Sequence, residues 1–142
     1  MSGESTKARV LEILEDDAQA SYEQISESAG VSKPTVRKYI KQLEEEGVIV
    51  GYSADIDPKK LSAVSISLTG IDVESERFLE VTEELRALDS VHALYSSSGD
   101  HMLLAEVRGS DGAEVGDLIR DEILTIDGVT AAHPCFLQER LK

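Results

Sequence analysis

The sequence predicts an α+β chain in which three short helices and a joining strand precede a ferredoxin-like βαββαβ sandwich, and three observations predict it. Apolar residues recur at helical spacing three times before Pro58. Period-two alternation and helical spacing then take turns to the end of the chain. The junction Leu88-Asp89-Ser90-Val91 returns 38 residues later as Ile126-Asp127-Gly128-Val129, and the same shift carries Val81 to Ile119 and Leu85 to Ile123. Two related βαβ halves make such a sandwich.

Val10, Leu11, Ile13 and Leu14, followed by Ala18, put an apolar stripe on a helix between about Thr6 and Asp17. Ser21 caps a second helix with Gln24 as its capping-box partner, and Tyr22, Ile25 and Ala29 form the inner face. Gly30 ends it. Ser32 caps a third helix across a very short turn, with Pro34 tolerated in the first turn and Val36, Ile40 and Leu43 at i, i+4, i+7. Gly47 stops that helix, and Val48, Ile49, Val50 and Tyr52 read as a strand ending at Asp57-Pro58. Three helices joined this way form a helix-turn-helix domain over residues 1–50, followed by a linker strand and turn over 51–61.

Residues 62–142 form the sandwich. Val64, Ile66 and Leu68 alternate with Ser65 and Ser67 as a strand, and Phe78, Val81, Leu85 and Leu88 follow as a helix. Val91 to Ser97 and His101 to Val107 read as a hairpin around Ser98-Gly99-Asp100. Asp111 with Glu114 opens a helix carrying Val115, Ile119, Ile123 and Ile126, and Val129 to Leu137 is the last strand, placed at a sheet edge by Pro134. The hairpin's second strand is apolar on both faces: Met102 and Leu104 on one, Leu103, Ala105 and Val107 on the other. Two helices cover only one face of a sheet, so a second subunit is expected over its reverse.

Charge selects the function classes. With 14 basic and 28 acidic side chains the net charge is −14, which argues against a general binder of nucleic acid or anionic membranes. Yet the 13 residues Val31–Leu43 hold Lys33, Arg37, Lys38 and Lys41 and no acid. Taken alone, four cations on a helix are an ordinary solvated face. Here they lie opposite the apolar stripe of the third helix in a chain that is acidic elsewhere, which is the charge and shape of a rod for the DNA major groove. The dispersed acid also suits a halophilic host.

Other chemistries find little support. Cys135 is the single cysteine and permits no internal disulfide, and the longest apolar run, Met102-Leu103-Leu104-Ala105, is far short of a membrane span. A cytoplasmic protein without membrane contact is expected. His92, His101, His133, Cys135 and Asp100 lack the paired spacing of zinc ligands, so no metal or other cofactor is expected. Ser96, Ser97 and Ser98 near Asp100 and His101 have the side chains of a triad but share one short hairpin, so no catalytic site is assigned and the chain is read as no enzyme.

Ser21-Tyr22-Glu23-Gln24-Ile25, Gly30-Val31-Ser32-Lys33-Pro34-Thr35-Val36, Leu43-Glu44-Glu45-Glu46-Gly47-Val48-Ile49 and Gly51-Tyr52 follow one another in the order seen in a known family. So do Asp57-Pro58-Lys59-Lys60-Leu61, Ser98-Gly99-Asp100 and Ile126-Asp127-Gly128-Val129. Over nearly its whole length the chain resembles the leucine-responsive and asparagine regulators, the Lrp/AsnC or feast/famine family. The resemblance implies a transcriptional regulator that binds double-stranded promoter DNA, responds to a small amino acid, and forms homodimers that assemble into tetramers or octamers. It assigns DNA contact to Ser32, Lys33, Thr35, Arg37, Lys38 and Lys41. It assigns effector contact to Ser97, Ser98, Gly99, Asp100, His101, Met102, Asp127, Gly128 and Thr130. Many members carry an aromatic residue and an acid where this chain has His101-Met102, a form similar to an archaeal branch sensing lysine or glutamine. Asp100 and the amides around Gly99 and Gly128 supply what a zwitterion needs: an acceptor for its ammonium and donors for its carboxylate. A second reading keeps the amino-acid site but has the module act through protein partners instead of DNA.

Overall fold

A computed structural model describes residues 2–142, and the chain divides between Asp55 and Ile56 into two compact units. The first holds helices α1 (Gly3–Asp16), α2 (Tyr22–Ala29) and α3 (Lys33–Glu45). Each begins at a serine whose hydroxyl accepts a backbone N–H: Ser2 from Ser5, Ser21 from Gln24 and Ser32 from Thr35. Both bonds of the expected capping box at Ser21 and Gln24 are present. Gly30 takes φ +71° between α2 and α3, a left-handed conformation that ends one helix and lets the cap of the next, Ser32, follow two residues later. Val10, Leu14, Ile25, Ala29, Val36 and Ile40 form the core of this unit, and Leu43 is buried as well.

One expectation is corrected here. Val48 to Tyr52 form no strand. The amides of Val48 and Ile49 both donate to the Leu43 carbonyl, winding the chain off the end of α3. A strand exists only through ladder bonds to a neighbour, and this unit contains no other strand among the described residues. Val48, Val50 and Tyr52 are left exposed.

The second unit opens with a 3-10 turn, Pro58–Lys60, and continues as β1 (Ser65–Val73), α4 (Phe78–Arg86), β2 (Val91–Ser96), β3 (Leu103–Gly109), α5 (Gly112–Leu118) and β4 (Val129–Phe136). The strands form one antiparallel sheet in the order β2-β3-β1-β4, the ferredoxin-like arrangement, with β4 at an edge where Pro134 costs no second ladder. The repeat seen in the sequence is a repeat in the core. Val81 and Leu85 of α4 and Ile119 and Ile123 beyond α5 are all buried against Leu103, Ala105 and Val107. After Leu118 the helix widens into a π turn, Ile119–Ile123, which apolar spacing does not reveal.

Register decides which face of β1 is inside. Ser67, Thr69 and Ile71 pair with Val107, Ala105 and Leu103, so these residues lie under the helices. Ser67 and Thr69 tolerate full burial because their hydroxyls bond each other at 2.8 Å. Leu68 consequently lies on the reverse face, paired with Glu106 and Cys135, and the Tyr95–Leu104 pair shares that face. Leu68, Tyr95 and Cys135 are exposed there, so the reverse face carries exposed apolar side chains among the polar Glu106, Asp72 and His133.

Candidate DNA-binding and effector-binding sites

On α3, Val36, Ile40 and Leu43 turn inward and Lys33, Arg37, Lys38 and Lys41 turn outward, with Ser32 exposed at the start and Thr35 half-buried. The cations retain access to solvent. Lys33 and Lys41 stand 3.8 Å from Glu23 and Glu45, yet their side chains are 59% and 74% exposed, so neither is withdrawn into an internal pair. Arg37 lies with its guanidinium 5.5 Å from the centre of the Tyr22 ring, which steadies the side chain without neutralising it. The Ser32 hydroxyl also lies 2.9 Å from that of Thr35, closing the first turn of α3. The result is a cationic edge from Lys33 to Lys41, followed by acids only at the C-terminal end of the helix.

The three acids that follow have partners. Glu46 accepts from Lys7 Nζ at 2.8 and 3.0 Å, Glu44 accepts from the Tyr52 hydroxyl at 3.0 Å, and Glu45 faces Lys41. The bond to Glu46 raises the Lys7 ammonium above its ordinary range, and partial desolvation of the hydroxyl, followed by its hydrogen bond to the Glu44 carboxylate, raises the Tyr52 phenol. These contacts tie α1 and the segment after α3 to the end of the cationic helix and keep two of the three carboxylates from acting on it.

In the second unit, residues 97–102 make a wider turn than expected, because β2 stops at Ser96 and β3 starts at Leu103. The Ser97 amide donates to the Met102 carbonyl, and the Ser97 hydroxyl accepts from the Gly99 amide at 3.3 Å. Ser98, Gly99 and Asp100 are exposed at the tip, whereas His101 and Met102 are half-buried. Gly128, with φ +103°, turns the chain into β4, and its carbonyl accepts from the Glu74 amide at 2.8 Å. Asp127 pairs with Arg77 at 2.8 Å, and Thr130 is exposed. Register puts the turn and this junction at the same end of the sheet, since Leu103 pairs with Ile71 and Val129 with Val73.

A cluster that sequence spacing does not show lies on the reverse face of the sheet. His101 Nδ1 is 3.0 Å from Asp72 Oδ1, His133 Nε2 is 3.2 Å from Asp72 Oδ2, and the two rings stack with centroids 4.6 Å apart. The His101 ring lies over Gly70, where a Cβ would stand 2.2 Å from its Cδ2. The two imidazoles hold the Asp72 carboxyl below its usual range, the His101 hydrogen bond first. His101 and His133 thus converge although their spacing in the sequence has no ligand pattern, while His92 sits apart facing Glu106. The missing signal was Asp72, which stands 29 and 61 positions from its two partners.

Comparison with known proteins agrees with both halves. A family described as winged helix-turn-helix DNA-binding matches residues 4–50, and one described as the Lrp/AsnC ligand binding domain matches residues 66–142. The chain is 70% identical to the HTH-type transcriptional regulator LrpA1 of Halobacterium salinarum over 142 residues, all of both chains. It is 43% identical to the HTH-type transcriptional regulator LrpA of Pyrococcus horikoshii, over 94% of each. Its fold matches the crystal structure of the Mycobacterium tuberculosis leucine response regulatory protein with a TM-score of 0.73 at 19% identity, covering 96% of this chain and 93% of that one. With a helix-turn-helix unit ahead of a four-stranded sandwich, and with relatives this similar along its full length, the chain belongs to the Lrp/AsnC family of transcriptional regulators.

Proposed function

We propose that this protein is a sequence-specific, DNA-binding transcriptional regulator of the cytoplasm that works as a homodimer, or as tetramers or octamers assembled from dimers, and responds to a small amino acid, lysine or glutamine before others. The observation that carries the reading is the solvent-facing run Lys33, Arg37, Lys38 and Lys41 on α3 of a chain with net charge −14. Acid elsewhere repels DNA, so binding concentrates on paired copies of this helix, and half-sites lie about 10 bp apart or a multiple of that. Ser32 and Thr35 take their place beside the phosphates at the helix N-terminus. Residues 51–61 serve as the linker.

The exposed Leu68 and Tyr95, with Cys135 beside them on the sheet, support a dimer closed through that face. The turn Ser97 to Met102 supports an effector site that includes Asp127, Gly128 and Thr130 at the same end of the sheet. An effector acts on DNA binding only by preferring one assembly over another.

Gel shift and fluorescence anisotropy on the regulator's own promoter test the first half. Lys41→Ala weakens all DNA about equally and lowers the salt slope by about 1, while Arg37→Ala also relaxes sequence preference. Unchanged operator affinity in the double variant removes the interface and favours action through protein partners. A thermal-shift panel of the twenty amino acids tests the second half, since a ligand of the folded state raises its melting temperature. No response to any of them removes the effector.

A further inference from the structure

We propose that Asp72, His101 and His133 form a binding site for one divalent transition-metal ion of the zinc, nickel or cobalt type on the reverse face of the sheet. Two imidazoles and a carboxylate are ligands suited to such borderline ions. Here they come from three separate pieces of chain: β1, the turn before β3, and β4. The site is seated on ordered backbone. Gly70 pairs with His133 in the ladder, Asp72 follows two residues on in the same strand, and the absent side chain at Gly70 is the space that the His101 ring fills. A substitution there would evict the ring, so glycine at this position builds the cluster.

The ligand atoms lie within 4.8 Å of one another. A tetrahedral ion with bonds near 2.1 Å wants them roughly 3.4 Å apart. His101 Nδ1 stands 3.0 Å from Asp72 Oδ1 and His133 Nε2 3.2 Å from Oδ2, so the carboxylate already reaches toward both rings and a small turn brings one oxygen to a shared ion. Rotation of His133 brings its ring to the same ion, and its side chain, 54% exposed against 28% for His101 and 32% for Asp72, has room to turn. Three protein ligands leave the remaining position to water. All three ligands belong to one chain, while His101 is shared with the proposed effector residues and the cluster lies on the sheet face through which the dimer is proposed to close.

The test uses the full-length untagged chain, freed of metal by chelator and titrated with Co²⁺ and with Zn²⁺ by visible absorption and calorimetry. One ion per chain is expected, with d–d absorption from cobalt and no thiolate charge-transfer band. His101→Gln with His133→Gln lowers affinity roughly 100-fold or more, since even outer groups are worth 10–100-fold at metal sites. His92→Gln with Cys135→Ser leaves affinity unchanged. Nitrogen-15 NMR of the unsubstituted chain gives an answer even if the double variant fails to fold: Zn²⁺ shifts ring nitrogens of His101 and His133 and spares those of His92. Absence of saturable binding, retention of wild-type affinity in a folded double variant, or ring shifts confined to His92 overturns the site.

Discussion

At the residue scale, the acids Glu44, Glu45 and Glu46 are instructive. Three carboxylates at a helix C-terminus oppose its dipole, and helix chemistry alone gives no reason for them. Two of the reasons lie outside the helix, Lys7 meeting Glu46 and Tyr52 meeting Glu44, and the third is local, Lys41 meeting Glu45 one turn along α3. Gly128 is the opposite case, a residue whose role is legible from the turn it must make. Its φ of +103° and the 2.7 Å that would separate a Cβ from the Arg77 Cβ leave no room for a side chain. Gly128→Ala is expected to lower stability by about 2 kcal/mol, measured by urea unfolding, because strained backbone of this kind costs roughly 1–3 kcal/mol. A loss below a few tenths of a kcal/mol in that measurement contradicts the fit described for this junction.

At the scale of elements, the serine caps, the glycine between α2 and α3 and the two βαβ halves were legible because each depends on neighbours in sequence. The Val48–Tyr52 strand was not, because pairing is a property of two segments. Asp57 shows how distant segments are joined here. Its Oδ1 accepts from the Lys59 amide at 3.1 Å, capping the 3-10 turn, and from the Arg140 amide at 3.0 Å, fastening the residues after β4. Those bonds, the one from Arg140 first, hold the Asp57 carboxyl below its ordinary range. A carboxylate so depressed contributes stability above its unfolded value of about 3.9, and that contribution disappears as pH falls through the lower folded value. An NMR titration of the Arg140 amide is therefore expected to show a midpoint under about 3.9. A midpoint at or above that value denies the clamp.

At the scale of the whole molecule, charge is unevenly shared: residues 1–60 hold 8 basic and 12 acidic side chains, and 61–142 hold 6 and 16. Self-repulsion of a net −14 opposes the compact state, and the Debye length falls from about 10 Å at 0.1 M salt to about 3 Å at 1 M. The melting temperature is expected to rise by several degrees between 0.1 M and 2 M KCl, with most of the rise below 1 M, where screening of charge changes most. Equal melting temperatures at the two concentrations show that repulsion is of no consequence to this fold. The same screening weakens DNA binding, so stability and operator affinity move in opposite directions with salt.

Sequence alone determined the order of the three helices and of the βαββαβ sandwich, the caps at Ser21 and Ser32, the duplicated core positions and the cationic side of α3, because helical and strand periodicities are local and charge is read by counting. Tertiary structure alone decided that Ser67 and Thr69 face the helices while Leu68 faces outward, since one step of register exchanges the faces of a strand. It alone brought Asp72 to His101 and His133, because strands distant in the chain become neighbours only when the sheet closes around β1.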